Sequence, residues 1–179
     1  MKNILAAITV IFIFKDIDKL NKNIFYKFKT PRGRGDISKI KIKRKVIKFI
    51  DESYNANPLS VRSAIKNFDL IKKGSSEKNL ILSDMLELGK HSKKLHENLA
   101  KDINSSKIDN VYVYGNNIKH TFNKIIPKKR GSILKGRNAI ISLIKNNINN
   151  NDYLMIKGSN LTGLHTLANN IKKGNLNAL

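Results

Sequence analysis

The chain has 179 residues, 40% of them hydrophobic, with no cysteine and a formal net charge of +22. That is enough for one ordinary domain with part of another, and the absence of cysteine excludes disulfides, thiolate metal sites and a cysteine nucleophile while suiting a reducing cytoplasm. So positive a charge raises nucleic acid or an anionic membrane as partner. The lysines are nevertheless scattered, and the densest basic runs, residues 41–48 and 128–130, lack the interleaved aromatics on which bases stack. The expectation is a solvated basic surface with no specific nucleic-acid partner, and weak binding to polyanions at low salt.

Residues 4–14 form a nearly unbroken apolar run behind Lys2 and Asn3. The run has the length of a secretory signal core, but no small-x-small cleavage site follows, and about eleven residues are too few to span a bilayer. It reads as a buried helix with no membrane role. A second helix is expected over 16–28, capped by Asp16, with Ile17, Leu20, Ile24, Phe25 and Phe28 on one face. The glycine- and arginine-rich stretch 30–35 then breaks all periodicity and reads as a hinge, dividing the chain into domains at 1–32 and 33–179.

Beyond the hinge the pattern alternates. Short apolar strands are expected at 37–42, 46–50, 79–82, 111–114, 132–134 and 153–156. Helices are expected over 60–70, 92–103, 117–123, 137–148 and 161–172, followed by a frayed tail. This succession predicts an α/β fold, a Rossmann-like and mostly parallel sheet with helices on both faces. Right-handed crossovers then bring the loops after Ile50, Leu82, Tyr114 and Ile156 to one rim.

The loop at 51–58, D-E-S-Y-N-A-N-P, stands where such sheets bind ligands, between a strand's carboxyl end and a helix. Asn supplies donors and acceptors, Tyr a flat face and a hydroxyl, and Asp51 or Glu52 a carboxylate for ribose or metal. The same residues also suit an Asx-turn with a proline stop. His96 sits beside Leu95 on a helix and reads as a packed, hydrogen-bonded histidine before a catalytic one. His91, His120 and His165 have no metal-ligand spacing and receive no role.

The 51–58 stretch resembles the D-[DE]-[ST]-Y-N-A-N-P signature of the Mur ligase family, in the branch that adds D-alanyl-D-alanine. D-M-L-E-L-G at 84–89 is similar to that branch's G-D-M-L-E-L-G, with Ser83 in place of the first Gly. His96 follows at the usual interval. K-G-S at 157–159 matches a late loop, with Asn160 where many members carry Arg. The resemblance implies that 1–32 is a helical remnant of the central, ATP-binding domain and 33–179 the family's C-terminal domain. It implies an ATP- and Mg²⁺-dependent ligase of peptidoglycan synthesis, cytoplasmic, joining D-alanyl-D-alanine to UDP-N-acetylmuramoyl-tripeptide through an acyl phosphate.

By the same resemblance Asn3, Arg34, Asp51, Tyr54 and Asn55 fall on the ATP side, with Asn3 near the adenine or, equally, a helix cap, and Arg34 on the phosphates or an exposed linker residue. Asn57, Lys157 and Ser159 fall on the D-alanyl-D-alanine side. Glu52, Asp84 and His96 are supporting candidates, Asp84 equally a cap or hinge hydrogen bond, and no metal ligand is assigned. The 179 residues contain no G-x-x-x-x-G-K-[ST] phosphate loop. The expectation is therefore a part of an enzyme, inactive until the N-terminal and central ligase domains join it. A non-catalytic binding module on the same fold and, further off, a basic nucleic-acid-binding domain are the alternatives.

Overall fold

The computed structural model describes residues 2–14, 16, 23 and 33–174. The chain divides into two compact units, Met1–Thr30 and Pro31–Leu179. In the first, α1 (Lys2–Phe14) is the helix expected from the apolar run. Its side chains Val10, Phe12, Ile13 and Phe14 are exposed rather than buried, because an apolar run reports helix length but not what covers it. Apart from residues 16 and 23, the helix expected over 16–28 lies outside the described residues, as do the hinge residues 30–32, the tail beyond 174 and the side chain of Asn3.

The second unit is one six-stranded sheet in the order β1-β2-β6-β3-β4-β5. Its strands are β1 (Asp36–Ile42), β2 (Lys45–Glu52), β3 (Lys78–Ser83), β4 (Asn110–Tyr114), β5 (Arg130–Ile133) and β6 (Tyr153–Lys157). β1 folds back antiparallel on β2, and every other pairing is parallel. The interleaved helices are α2 (Pro58–Leu70), α3 (Ser92–Ser105), the single turn α4 (Lys119–Phe122), α5 (Arg137–Asn146) and α6 (Leu164–Lys172).

The strand pleat sends alternate side chains to two cores. Ile50, Leu80, Leu82, Val111, Val113 and Met155 pack against Val61, Ile65 and Phe68 of α2 and Leu99 and Ile103 of α3. Ile47, Phe49, Ile81, Leu154 and Ile156 face α5 and α6 through Ile140, Ile144, Leu167 and Ile171. The expected α/β architecture with helices on both faces is the one observed.

The boundaries shift where polar chemistry overrides apolar periodicity. The helix expected from 60 begins at Pro58, because Asn57 accepts a hydrogen bond from Ser60 N at 2.8 Å and Ser60 Oγ accepts one from Asn57 N at 3.0 Å. That reciprocal cap leaves proline at the first helical position, where its missing N–H costs nothing. The helix expected from 161 is broken in two, a 3₁₀ turn at Asn160–Thr162 and then α6, with Gly163 between them at φ 78°. The helix over 117–123 shrinks to α4, and β5 ends one residue early and begins two earlier.

Two lysines are drawn inside to finish helices. Lys78 Nζ donates to Asp69 O at 2.8 Å, and Lys129 Nζ donates to Ile103 O at 2.9 Å and to Ser106 O. Cations at helix carboxyl ends satisfy orphan carbonyls and complement the helix dipole. Burial pushes both ammonium groups below their ordinary range.

Candidate functional site

Parallel register places the carboxyl ends of β2, β6, β3 and β4 side by side: Glu52 pairs with Lys157, Lys157 with Leu82, and Ser83 with Tyr114. β3 and β2 run on to helices of one face, whereas β6 between them runs on to α6 of the other. Loops leaving adjacent strands in opposite directions open a crevice, which is where doubly wound sheets place ligands. A cleft of about 440 Å³ lies there, walled by residues 54–57, 86–88 and 159–161. A second, of about 490 Å³, adjoins it across Leu86 and Leu161 and is lined by Asp84, Tyr114, Asn116, Lys119 and Lys135. Leu161 is 83% exposed.

Several of the residues singled out in the sequence build the walls of this site rather than face into it. β2 runs two residues further than expected, so Asp51 and Glu52 belong to the strand. Asp51 follows Ile47 and Phe49 onto the α6 face and is fully buried. Its Oδ1 accepts from Ser53 N and Oγ, and its Oδ2 from Lys172 Nζ at 2.6 Å. Glu52 follows Ile50 onto the other face, beside its register partner Lys157, with Nζ and Oε2 3.6 Å apart.

The Lys157 ammonium donates to Asn55 O at 2.6 Å and Glu52 O at 3.3 Å. It therefore fastens the 51–58 loop from below. Burial holds Lys157 below the ordinary lysine range, and burial raises Glu52 against the opposing pull of Lys157.

Ser159 and Asp84 tie the other loops together. Ser159 Oγ accepts from Leu86 N at 3.1 Å and donates to Ala56 O at 3.3 Å, while Ser159 N donates to Asp84 O at 3.2 Å. The Asp84 carboxylate accepts from Ile118 N at 2.8 Å and Asn116 N at 3.1 Å, tying the end of β3 to the backbone at the entry to α4, away from the 30–35 hinge. Asp51 and Asp84 thus have both oxygens committed inside the fold. Among the described residues no group of three or more His, Asp or Glu side chains could hold a metal ion. These carboxylates do not fit a Mg²⁺ site, and no step through the ion is assigned to them.

His96 is completely buried. Its Nε2 accepts from Met85 N at 3.0 Å and its Nδ1 donates to Ser92 O at 2.8 Å, so the ring is fixed to its own helix and holds the 84–89 loop through Nε2. Burial lowers its pKa below the ordinary 6.5. A group depressed in the fold takes its proton first in the unfolded chain, so stability is lost as pH falls through 6.5 toward the folded value. Urea unfolding between about pH 7 and pH 5 is expected to show a downward slope that is flatter in His96→Gln; equal slopes would contradict this.

The groups that reach solvent are Arg34, Tyr54, Asn55 and Asn57. Asn55 Oδ1 accepts from Ala56 N at 2.8 Å, and Asn57 caps α2. Tyr54 is 43% exposed, and the Arg34 guanidinium lies 4.6 Å from its ring centroid. A cation and a flat ring side by side suit an anionic, aromatic ligand. His165, assigned nothing from sequence, joins them: its ring meets that of Tyr54 edge-on at 5.9 Å. One signal was there to find. His165, Asn169 and Lys172 fall at i, i+4 and i+7, a polar stripe beside the apolar face of α6.

The fold and rim now stand beside known proteins. The family described as Mur ligase, glutamate ligase domain, matches residues 38–160. The chain belongs to the Mur ligase family. Among its relatives is UDP-N-acetylmuramoyl-tripeptide–D-alanyl-D-alanine ligase of Bacillus subtilis, 31% identical over 116 residues, covering 63% of this chain and 25% of the relative. The enzyme of the same name from Rickettsia prowazekii is 29% identical over 128 residues, covering 72% and 27%. This chain spans about a quarter of the length of these relatives.

The MurF ligase of Thermotoga maritima, solved in complex with ADP, superposes with a TM-score of 0.69 at 22% identity, over 96% of this chain and 36% of that one. A MurF structure from Acinetobacter baumannii gives 0.72 at 22% identity, over 94% and 36%. These superpositions establish the shared fold. No helix among the described residues is long and apolar enough to cross a membrane.

Proposed function

We propose that this chain is the closing domain of an ATP-dependent ligase that joins D-alanyl-D-alanine to UDP-N-acetylmuramoyl-tripeptide. The observation that carries the reading is the cleft itself: the three signature loops, 54–57, 86–88 and 159–161, form one wall-to-wall site at the strand ends. Arg34 and Tyr54 take the nucleotide side, a permanent cation for phosphate and a ring for the base. Asn55 stays beside them on that side, and Asn57 and the backbone around Ser159 take the dipeptide side. Lys157, Asp51, Asp84 and His96 hold these loops in place, so binding geometry is set by buried charge rather than by free side chains.

ATP hydrolysis chemistry requires a phosphate loop, and these 179 residues contain none. The chain alone is therefore inactive in this reading, and the P-loop portion supplies the missing half of the site. The test mixes the purified chain with the N-terminal and central domains of a MurF relative. Phosphate release that requires both polypeptides and D-alanyl-D-alanine is the expected result. Magnesium-dependent ligation by the chain alone, or no release from the mixture when each part is folded, would overturn it.

A further inference from the structure

The hinge turn, the Tyr54 loop and α6 meet in one hydrogen-bonded chain. Ser53 Oγ donates to Asp51 Oδ1, which leaves only lone pairs of the hydroxyl for His165 Nδ1, 3.2 Å away. Nδ1 must then carry the imidazole proton, and Nε2 accepts from Asn169 Nδ2 at 3.2 Å. Lys172 Nζ closes the far end, reaching Asp51 Oδ2 at 2.6 Å and Asp36 Oδ2 at 3.0 Å, while Asp36 Oδ1 accepts from Gly33 N at 2.9 Å. Tyr54 N donates to Gly33 O at 3.1 Å.

The packing is as tight as the hydrogen bonding. Gly33 has φ 74°, and a Cβ there would stand 3.0 Å from both His165 Nδ1 and Tyr54 Cβ. Of the side chains that meet the Tyr54 ring, Arg34 approaches as a cation and His165 edge-on. His165 is held at both ring nitrogens, by Ser53 of the loop on one side and by Asn169 of its own helix on the other.

We infer that His165 is a positioning residue: with its proton on Nδ1, held between Ser53 and Asn169, it fixes the Tyr54 ring and through it the Arg34 guanidinium. This deepens the reading of Arg34 and Tyr54 as the nucleotide side and rests on it for its catalytic meaning. The geometric part stands by itself. Fixing a cation and a ring before the ligand arrives removes ordering cost from binding, so loss of His165 shows in the Michaelis constant for ATP rather than in turnover.

Two measurements on the full chain decide the geometric part. Long-range proton–nitrogen correlation spectra are expected to show His165 protonated on Nδ1 and bare on Nε2; the opposite tautomer would overturn the inference. The Arg34 Nε–H resonance, assigned by its loss in Arg34→Lys, is expected to carry a ring-current shift from Tyr54. That shift is lost in His165→Ala and His165→Gln and is retained in His165→Asn, whose amide nitrogen can stand where Nδ1 stands. An unchanged shift in His165→Gln, or equal loss in Gln and Asn variants that both melt as folded proteins, would overturn it. In the mixture with the P-loop domains, His165→Gln is expected to raise KM for ATP about tenfold with kcat within about twofold. A fall in kcat alone would overturn the inference, whereas a mixture in which the wild-type chain gives no turnover counts against the ligase reading and leaves the spectroscopic result to decide this one.

Discussion

Gly158→Ala is expected to destabilise the domain by about 2 kcal/mol, within the range for overpacking a filled core, and Ser83→Gly in the same chain is expected to restore most of it. A Cβ at Gly158 would stand 1.8 Å from Ser83 Oγ and 3.1 Å from Leu164 Cδ1. The hydroxyl cannot simply swing away. It donates to Thr162 Oγ1 at 3.0 Å, and Thr162 Oγ1 in turn donates to Ser159 O at 2.6 Å.

Ser83 stands where the G-D-M-L-E-L-G signature that residues 83–89 resemble begins with glycine, so glycine is the natural relieving substitution. Urea midpoints for the two single variants and the double variant give the coupling directly. Losses that simply add would show that the two loops do not touch as described.

Lys157→Met is expected to cost about 3 kcal/mol, the lower end for breaking a buried ion pair because the Glu52 side chain keeps 22% of its exposure. Removal of the ammonium frees the Asn55 and Glu52 carbonyls from their donor and leaves a carboxylate half inside the protein. The loss is expected to depend on pH in a defined direction. Burial already raises the Glu52 pKa above 4.5, and Lys157 is what holds it down. Without Lys157 the folded state takes up a proton at higher pH than before, so the penalty is full near pH 8 and shrinks toward pH 5. A penalty that grows on acidification would show that Glu52 is not the group left unpaired.

Both predictions concern residues whose surroundings, not whose identity, the sequence concealed. The strands, their order of faces and the convergence of four loops followed from alternation and from the handedness of parallel crossovers, which are local or nearly universal. Asp51 was read as a ligand for ribose or metal because it precedes a loop. It lies instead in the last turn of a pleat, facing a lysine 121 positions away. The resemblance puts Lys157 on the D-alanyl-D-alanine side, but its partners are the carbonyls of Glu52, at the end of β2, and of Asn55, in the loop beyond it, 105 and 102 residues earlier. At Asn57 the sequence expectation of a helix from 60 falls short by two residues, because Asn-Pro here serves as N-cap and first helical residue instead of an Asx-turn with a proline stop. Long-range polar pairing leaves no periodic trace at Asp51 and Lys157, and its one local sign, the polar stripe of His165, Asn169 and Lys172 on α6, carries no reading in the sequence.

The central claim is that the strand-end rim around Tyr54, Leu86, Gly115 and Ser159 is the face this domain turns to its ligands and to the P-loop domains. Amide hydrogen exchange of the chain, alone and mixed with those domains in the presence of ADP and D-alanyl-D-alanine, tests it most directly. Slowed exchange concentrated in residues 53–57, 84–89, 115–118 and 157–162 is the predicted result. Protection confined to the α2–α3 face or to the β1 edge, with the rim unchanged, would contradict it.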